Sequence, residues 1–118
     1  MLVTYRKDGG LQSSPMAVAV DDDGSVLTAT RAKSAKVHNL VRDARATVCL
    51  FNDKWPGPWM HIDGEAQIER LPEAMPLLAA YYAQRGQDTS ISQFRERMES
   101  ENRVLIRIRP KRVVRPNR

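Results

Sequence analysis

The chain has 118 residues and a mass of 13.4 kDa, with 42% hydrophobic and 28% charged residues, which suits one domain with a buried core and leaves no room for a second. Its net charge of +5 comes from 19 basic against 14 acidic residues, and residues 102–118 alone hold seven Arg or Lys and no acid, which argues against a basic nucleic-acid-binding face spread over the fold. No apolar run approaches the ~18 residues of a membrane span, the opening MLVTYRKDGG lacks the apolar stretch of a signal peptide, and one cysteine, Cys49, cannot close an internal disulfide, so a cytoplasmic protein is expected.

Residues 2–6, LVTYR, read as a short first strand, and Lys7-Asp8-Gly9-Gly10 as a hairpin turn in which Asp-Gly permits positive φ. Residues 11–20 read as one second strand, with Pro15 marking an edge or a bulge. Asp21-Asp22-Asp23-Gly24 is the next turn, and 25–30, SVLTAT, the third strand. Ser34 has the character of an N-cap, with Val37, Leu40 and Val41 at helical spacing behind it and Asp43 at the exit. RATVCLF, 45–51, is a strong strand with Leu50 expected in the core, and 59–70 is a long one with Gly64 suggesting a bulge. Pro72 predicts the start of a helix carrying Met75, Leu78, Ala79 and Tyr82, Gly86 breaks it, and a second helix runs from Ser92 to Glu101. Residues 103–110 alternate Arg103, Leu105, Arg107 and Arg109 against Val104, Ile106 and Ile108, the pattern of a half-buried final strand, with a solvated tail beyond it. Some six antiparallel strands in so short a chain are best accommodated by closing their edges, so the expected fold is a mainly β barrel with two or three peripheral helices.

The segment from Thr28 to Leu40 carries the most chemistry. A strand ends, Arg31 and Lys33 occupy the turn, and a helix begins at Ser34 with Lys36 in its first turn. Free N–H groups and the dipole at a helix N-terminus favour an anion. Cations there disfavour the helix by about 0.3–1 kcal/mol each. Three of them point to a phosphate site, with a solvated basic turn as the plain alternative. Trp55 and Trp59 around a Pro-Gly-Pro turn fit either a flat-ring pocket or an interface, or else a core tryptophan and a surface lid. His38 and His61 have no metal-ligand spacing around them, so no metal is expected. Cys49 reads as a buried small hydrophobe.

The Asp8-Gly9 hairpin, Lys36-x-x-Asn39-Leu40-x-Arg42-Asp43-x-Arg45, Gly64-Glu65-Ala66 and the terminal Ile106-Arg-Ile-Arg-Pro-Lys-Arg-Val together resemble the pyridoxamine 5′-phosphate oxidase-like split β-barrel flavoproteins, and among them the actinobacterial flavin/deazaflavin oxidoreductases that use coenzyme F-420. The resemblance spans almost the whole chain and implies a six-stranded antiparallel split β-barrel working as a homodimer with cofactor sites at the interface. It implies that Ser34 and Lys36, with Asn39 one turn on and Arg31 and Lys33 nearby, hold the phosphate of F-420 or FMN. It further implies that Ser13, Ser14, Pro15 and Met16 run beneath the ring, and that Trp59 of the other subunit lies near ring or tail. Ala35 stands where relatives closer to pyridoxamine phosphate oxidase carry a second basic residue, which favours F-420 over FMN. The helix that precedes the first strand in relatives is missing. The expected activity is hydride transfer from reduced F-420 to a small conjugated acceptor, with no catalytic residue assigned. An FMN-dependent oxidase or reductase, and a non-catalytic flavin or deazaflavin binder, are the alternatives, and a nucleic-acid binder ranks last.

Overall fold

The computed structural model describes residues 1–52 and 57–116, so Trp55 lies outside the described residues. Seven strands and three helices follow in the order β1 (Leu2–Tyr5), β2 (Leu11–Ser14), β3 (Ala19–Val20), β4 (Val26–Arg31), α1 (Ala35–Arg42), β5 (Arg45–Phe51), β6 (Trp59–Glu69), α2 (Met75–Gln84), α3 (Ser92–Ser100) and β7 (Arg103–Val114). They form one antiparallel sheet in the order β2-β1-β5-β6-β7-β4-β3. Consecutive strands β2 and β3 thus occupy opposite edges, joined only by residues 15–18. Five Cα steps reach at most about 18 Å, so the sheet must curl until its edges nearly meet. The ladder stays open at this seam, and the result is a split barrel.

The seventh strand comes from the division of the expected second strand. Pro15 has no N–H to give a ladder, and the chain leaves one edge there to join the other at Ala19. The hairpin between β1 and β2 is as expected: Gly9 has φ 87°, and the Asp8 carboxylate accepts from the Gly10 N–H at 2.9 Å.

Alternation gives the sheet two buried faces over β4 and β7. Val26, Val104, Ile106 and Ile108 point inward to meet Leu2, Val48, Ile62 and the Val37 and Leu40 side chains of α1. Leu27, Ala29 and Leu105 point outward and are covered by α2 and α3 through Met75, Leu78, Tyr81, Phe94 and Met98. Leu105, which sequence alternation sets among the arginines of the polar face, is therefore fully buried at 0% exposure. Leu50 differs from expectation in the other direction. It shares the inward parity of Ala46 and Val48 but stands near the end of β5, half-buried, against Met60.

Helix α2 starts at Met75, three residues after Pro72. Pro76 is the reason: a proline is tolerated in the first turn of a helix and breaks it further in. Strand β7 runs on past Pro110 to Val114, where a solvated tail was expected. Asp63 pairs with Arg112 and Gly64 with Pro110, which leaves Lys111 as the extra residue of a bulge and reverses the inward parity beyond it. Gly64 is obligatory at this bulge, since a Cβ would collide with the Arg109 carbonyl and with Ile108 Cγ2.

Two leucine truncations test this assignment of faces. Leu105→Ala should cost about 2–5 kcal/mol of unfolding free energy, as a fully buried cavity mutation does. Leu50→Ala, at a half-buried site, should cost clearly less in the same denaturant titration. Equal losses would mean that Leu50 belongs to the core.

Candidate functional site

The turn from β4 into α1 is built by backbone bonds. Ala32 N–H donates to the Asn102 carbonyl at 2.9 Å and Ser34 N–H to the Arg31 carbonyl at 3.0 Å. Ser34 is the N-cap, with φ −66° and ψ 151°, and its carbonyl accepts from the N–H groups of Val37 and His38 at 3.1 and 3.3 Å. Its side chain does not cap: Ser34 Oγ is buried and has no hydrogen-bond partner among the described residues. The N–H groups of Ala35 and Lys36 also find no acceptor among the described residues. Lys36 Nζ donates to Thr30 Oγ1 at 3.5 Å, and the first turn of α1 contains no acid.

Each of these features is a local cost. A buried hydroxyl without a partner costs about 1–3 kcal/mol, and a cation at a helix N-terminus opposes the dipole. An anion seated at the turn removes both costs. It would accept from Ser34 Oγ and the free N–H groups and pair with Lys36. The donor set therefore fits a phosphate.

The other residues expected at the site divide into three groups. Lys33 is exposed at the turn, with no ion-pair partner among the described residues. Arg31 is paired with Glu101 at 3.3 Å, and Glu101 also accepts from Arg103 at 3.1 Å. These partners hold the Glu101 carboxyl below its usual range, Arg103 foremost. Asn39 is committed elsewhere: buried, it donates from Nδ2 to Thr4 Oγ1 at 3.1 Å and accepts from Arg42 at 2.9 Å, fastening α1 to β1.

Ser13 and Ser14 lie on β2 opposite Val3 and Leu2. Pro15 is exposed at the start of the crossing, and Met16 packs on the inner cluster. Trp59 begins β6 opposite Phe51 and lines a recess of about 270 Å³ with Leu50, Phe51, Asn52, Pro58 and Met60. The register sets Arg31 beside Arg103, near the Glu69 end of β6. Trp59 is at the far end of that strand, about 33 Å away along it. One chain does not bring Trp59 and the turn together.

Sequence reading passed over two groups. Thr28 and Thr30 are inward polar residues on an otherwise apolar strand, which was the available signal. The Ala17 carbonyl accepts from both Thr28 Oγ1, at 2.9 Å, and the Tyr81 hydroxyl, at 2.8 Å, a meeting that only the folded chain reveals.

A second basic recess, of about 570 Å³, lies at the other end of α1. Its arginines are already occupied: Arg6 pairs with Asp8, Arg42 donates to the Tyr5 carbonyl, and Arg45 holds Asp43 at 2.6 Å. The C-terminal end of a helix also repels anions. The basic C-terminal run is likewise largely neutralised. Arg103 pairs with Glu101, Arg107 with Asp21 and Asp23, Lys111 with Glu65 and Arg112 with Asp63.

A family model for pyridoxamine 5′-phosphate oxidase matches residues 1–115. Comparison with curated proteins gives no match. Among solved structures, the chain is similar to a conserved hypothetical protein from Mycobacterium tuberculosis, with 29% identity and a TM-score of 0.77 over 97% of this chain and 73% of that one. It shares its fold with a pyridoxamine 5′-phosphate oxidase-related, FMN-binding protein from Nostoc punctiforme (17% identity, TM-score 0.69, 97% of this chain and 71% of that one). It also shares it with an F-420 reductase (18%, 0.68, 96% and 86%).

Two predictions follow from the geometry of α1. Ser34→Ala removes the penalty of the buried Ser34 hydroxyl and should raise stability by about 1 kcal/mol in denaturant unfolding, where loss of a working serine cap lowers it by about 1 kcal/mol. Hydrogen bonds from Arg45 hold the Asp43 carboxyl down to about 2. A carboxyl lowered on folding stabilises the protein above its unfolded value of roughly 4 and loses that contribution as pH falls toward its folded value. Arg45→Gln should raise the Asp43 midpoint in an NMR titration and remove this part of the acid dependence.

Proposed function

The chain belongs to the pyridoxamine 5′-phosphate oxidase family, and from that premise we propose that it is an oxidoreductase holding a flavin-type cofactor by its phosphate on the β4–α1 turn. The observation that carries this reading is the Ser34 hydroxyl, buried at a helix N-terminus without a partner among the described residues. Ser34 Oγ and the Ala35 and Lys36 N–H groups donate to the phosphate, Lys36 neutralises it, and exposed Lys33 adds charge from the turn. Arg31 reaches the same anion only by giving up Glu101.

The cofactor we assign is the deazaflavin F-420. Ala35 immediately before Lys36 supports this choice, as does the fold shared with an F-420 reductase. When bound and reduced, such a deazaflavin supplies a hydride from its ring, and the acceptor is a small conjugated molecule. FMN is the second reading, supported by the family match and by the fold shared with an FMN-binding protein. The protein's own part is to bind the tail, orient the ring along residues 13–16 and keep water from it.

The working unit in this reading is a homodimer. Trp59 and its apolar recess lie at the opposite end of β6 from the turn, so they reach a cofactor only when they come from a second copy. Phe51 beside Trp59 is 58% exposed, an apolar surface suited to such a contact. A lone, half-buried Cys49 agrees with a cytoplasmic setting.

Parallel titrations with F-420 and FMN test the proposal. F-420 should bind more tightly, and Lys36→Ala should weaken the binding roughly tenfold, about 1.5 kcal/mol, without loss of fold. An unchanged affinity would move the phosphate off this turn, tighter FMN binding would reverse the cofactor assignment, and binding of neither would overturn the reading. Sedimentation should find two copies, and a monomer that binds cofactor at full affinity would remove Trp59 from the site.

A further inference from the structure

Residues 15–18 carry the chain across the seam of the barrel and belong to no ladder. The N–H groups of Met16, Ala17 and Val18 find no acceptor among the described residues, and Pro15 has none to offer. Outside a ladder, an extended segment has nothing in its own backbone to fix it. Met16 and Val18 pack on the inner cluster, and the segment's backbone is anchored at one carbonyl. The Ala17 carbonyl accepts from Thr28 Oγ1 at 2.9 Å and from the Tyr81 hydroxyl at 2.8 Å.

The two donors come from opposite sides of the sheet. Thr28 has the inward parity of Val26 and is 1% exposed, whereas Tyr81 belongs to the outer cluster of α2 and is 4% exposed. The Tyr81 ring is fixed in turn, edge-on to Tyr82 at 4.9 Å between centroids, and Tyr82 meets Phe94 of α3 at 5.7 Å. A carbonyl has two lone pairs, and here both are taken by buried hydroxyls of rigid elements. Each bond also satisfies a buried hydroxyl, so the segment is tied at once to β4 and to α2.

We propose that Tyr81 and Thr28 are positioning residues that clamp the Ala17 carbonyl and so hold the unladdered segment 15–18 ready for the ring of a flavin-type cofactor. The inference rests on the cofactor reading given above. The pyrimidine edge of a flavin or deazaflavin presents two carbonyls flanking an N–H, and a strand with free backbone groups matches that alternation. Such bonds hold a ring in one orientation only if the strand itself cannot shift. Neither Tyr81 nor Thr28 is assigned a contact with the ring. They act through the backbone, and α2 thereby becomes part of the site without reaching it.

Tyr81→Phe and Thr28→Val each remove one hydroxyl and keep the shape of the side chain. In ligand-free protein, each should lower the backbone ¹⁵N order parameters of Met16–Val18 from rigid values of about 0.85 toward about 0.6, while those of β4 and β7 remain as in wild type. F-420 and FMN are then titrated beside their phosphate-free counterparts, the bare deazaflavin chromophore and riboflavin. Each variant should weaken the phosphate-bearing and phosphate-free forms by one common factor of about fivefold, with a shift in the visible absorption of the bound ring. The ratio between the two forms, which the β4–α1 turn sets, should not move. Unchanged order parameters in both variants would overturn the clamp. Lowered order parameters with wild-type affinities and spectrum would reduce the hydroxyls to a tie between α2 and the sheet, and a changed ratio would take the ring off this segment. Failure of the underlying cofactor reading shows separately, as wild-type protein that binds none of the four compounds, and it removes this inference as well. The Thr28 variant keeps the test open should loss of the Tyr81 hydroxyl disturb α2.

Discussion

The four residues from Pro15 to Val18 set the shape of the molecule. They must join one edge of a seven-stranded sheet to the other, and an extended chain of that length allows no flat arrangement. The curl they impose creates an interior, and β4 is apolar toward both the barrel and the helices α2 and α3, which β7 joins through Leu105. Helix α1 has a place for the same reason. Val37 and Leu40 enter the inner cluster, which fixes the helix start at the end of β4 and leaves its N-terminal donors together at the turn.

Electrostatics then separates two ends of one short helix. At the C-terminal end, Arg42 and Arg45 are satisfied by a carbonyl, an amide oxygen and Asp43. At the N-terminal end, Ser34 Oγ has no partner among the described residues, and Lys36 has only a long contact with Thr30. The arginine-rich last strand follows the first pattern, with acids of the loops and of β6 set against it. At the turn an imbalance remains that a bound phosphate would resolve.

Much of this was legible in the residues because it depends on neighbours in sequence. The Asp8-Gly9 turn, the helix behind Ser34 and the alternation of β7 are local patterns, and each appears where expected. What was not legible depends on distant partners. Leu105 looks like a member of an arginine face until side chains of α2 and α3, from Met75 to Met98, cover it. Asn39 looks available to a ligand until Thr4, 35 residues earlier, takes its amide. The division of the second strand at Pro15 required knowing that its two halves join different edges. For the site, the basic turn and its helix were visible, whereas the unpartnered state of the Ser34 hydroxyl is a property of the folded chain.

A crystal structure with F-420 or FMN bound would show where the phosphate sits. A phosphate oxygen is expected within hydrogen-bond distance of Ser34 Oγ and the α1 N-terminal N–H groups, with Lys36 alongside. A phosphate seated in the basic recess at the other end of α1, among Lys7, Arg42 and Arg45, would contradict it.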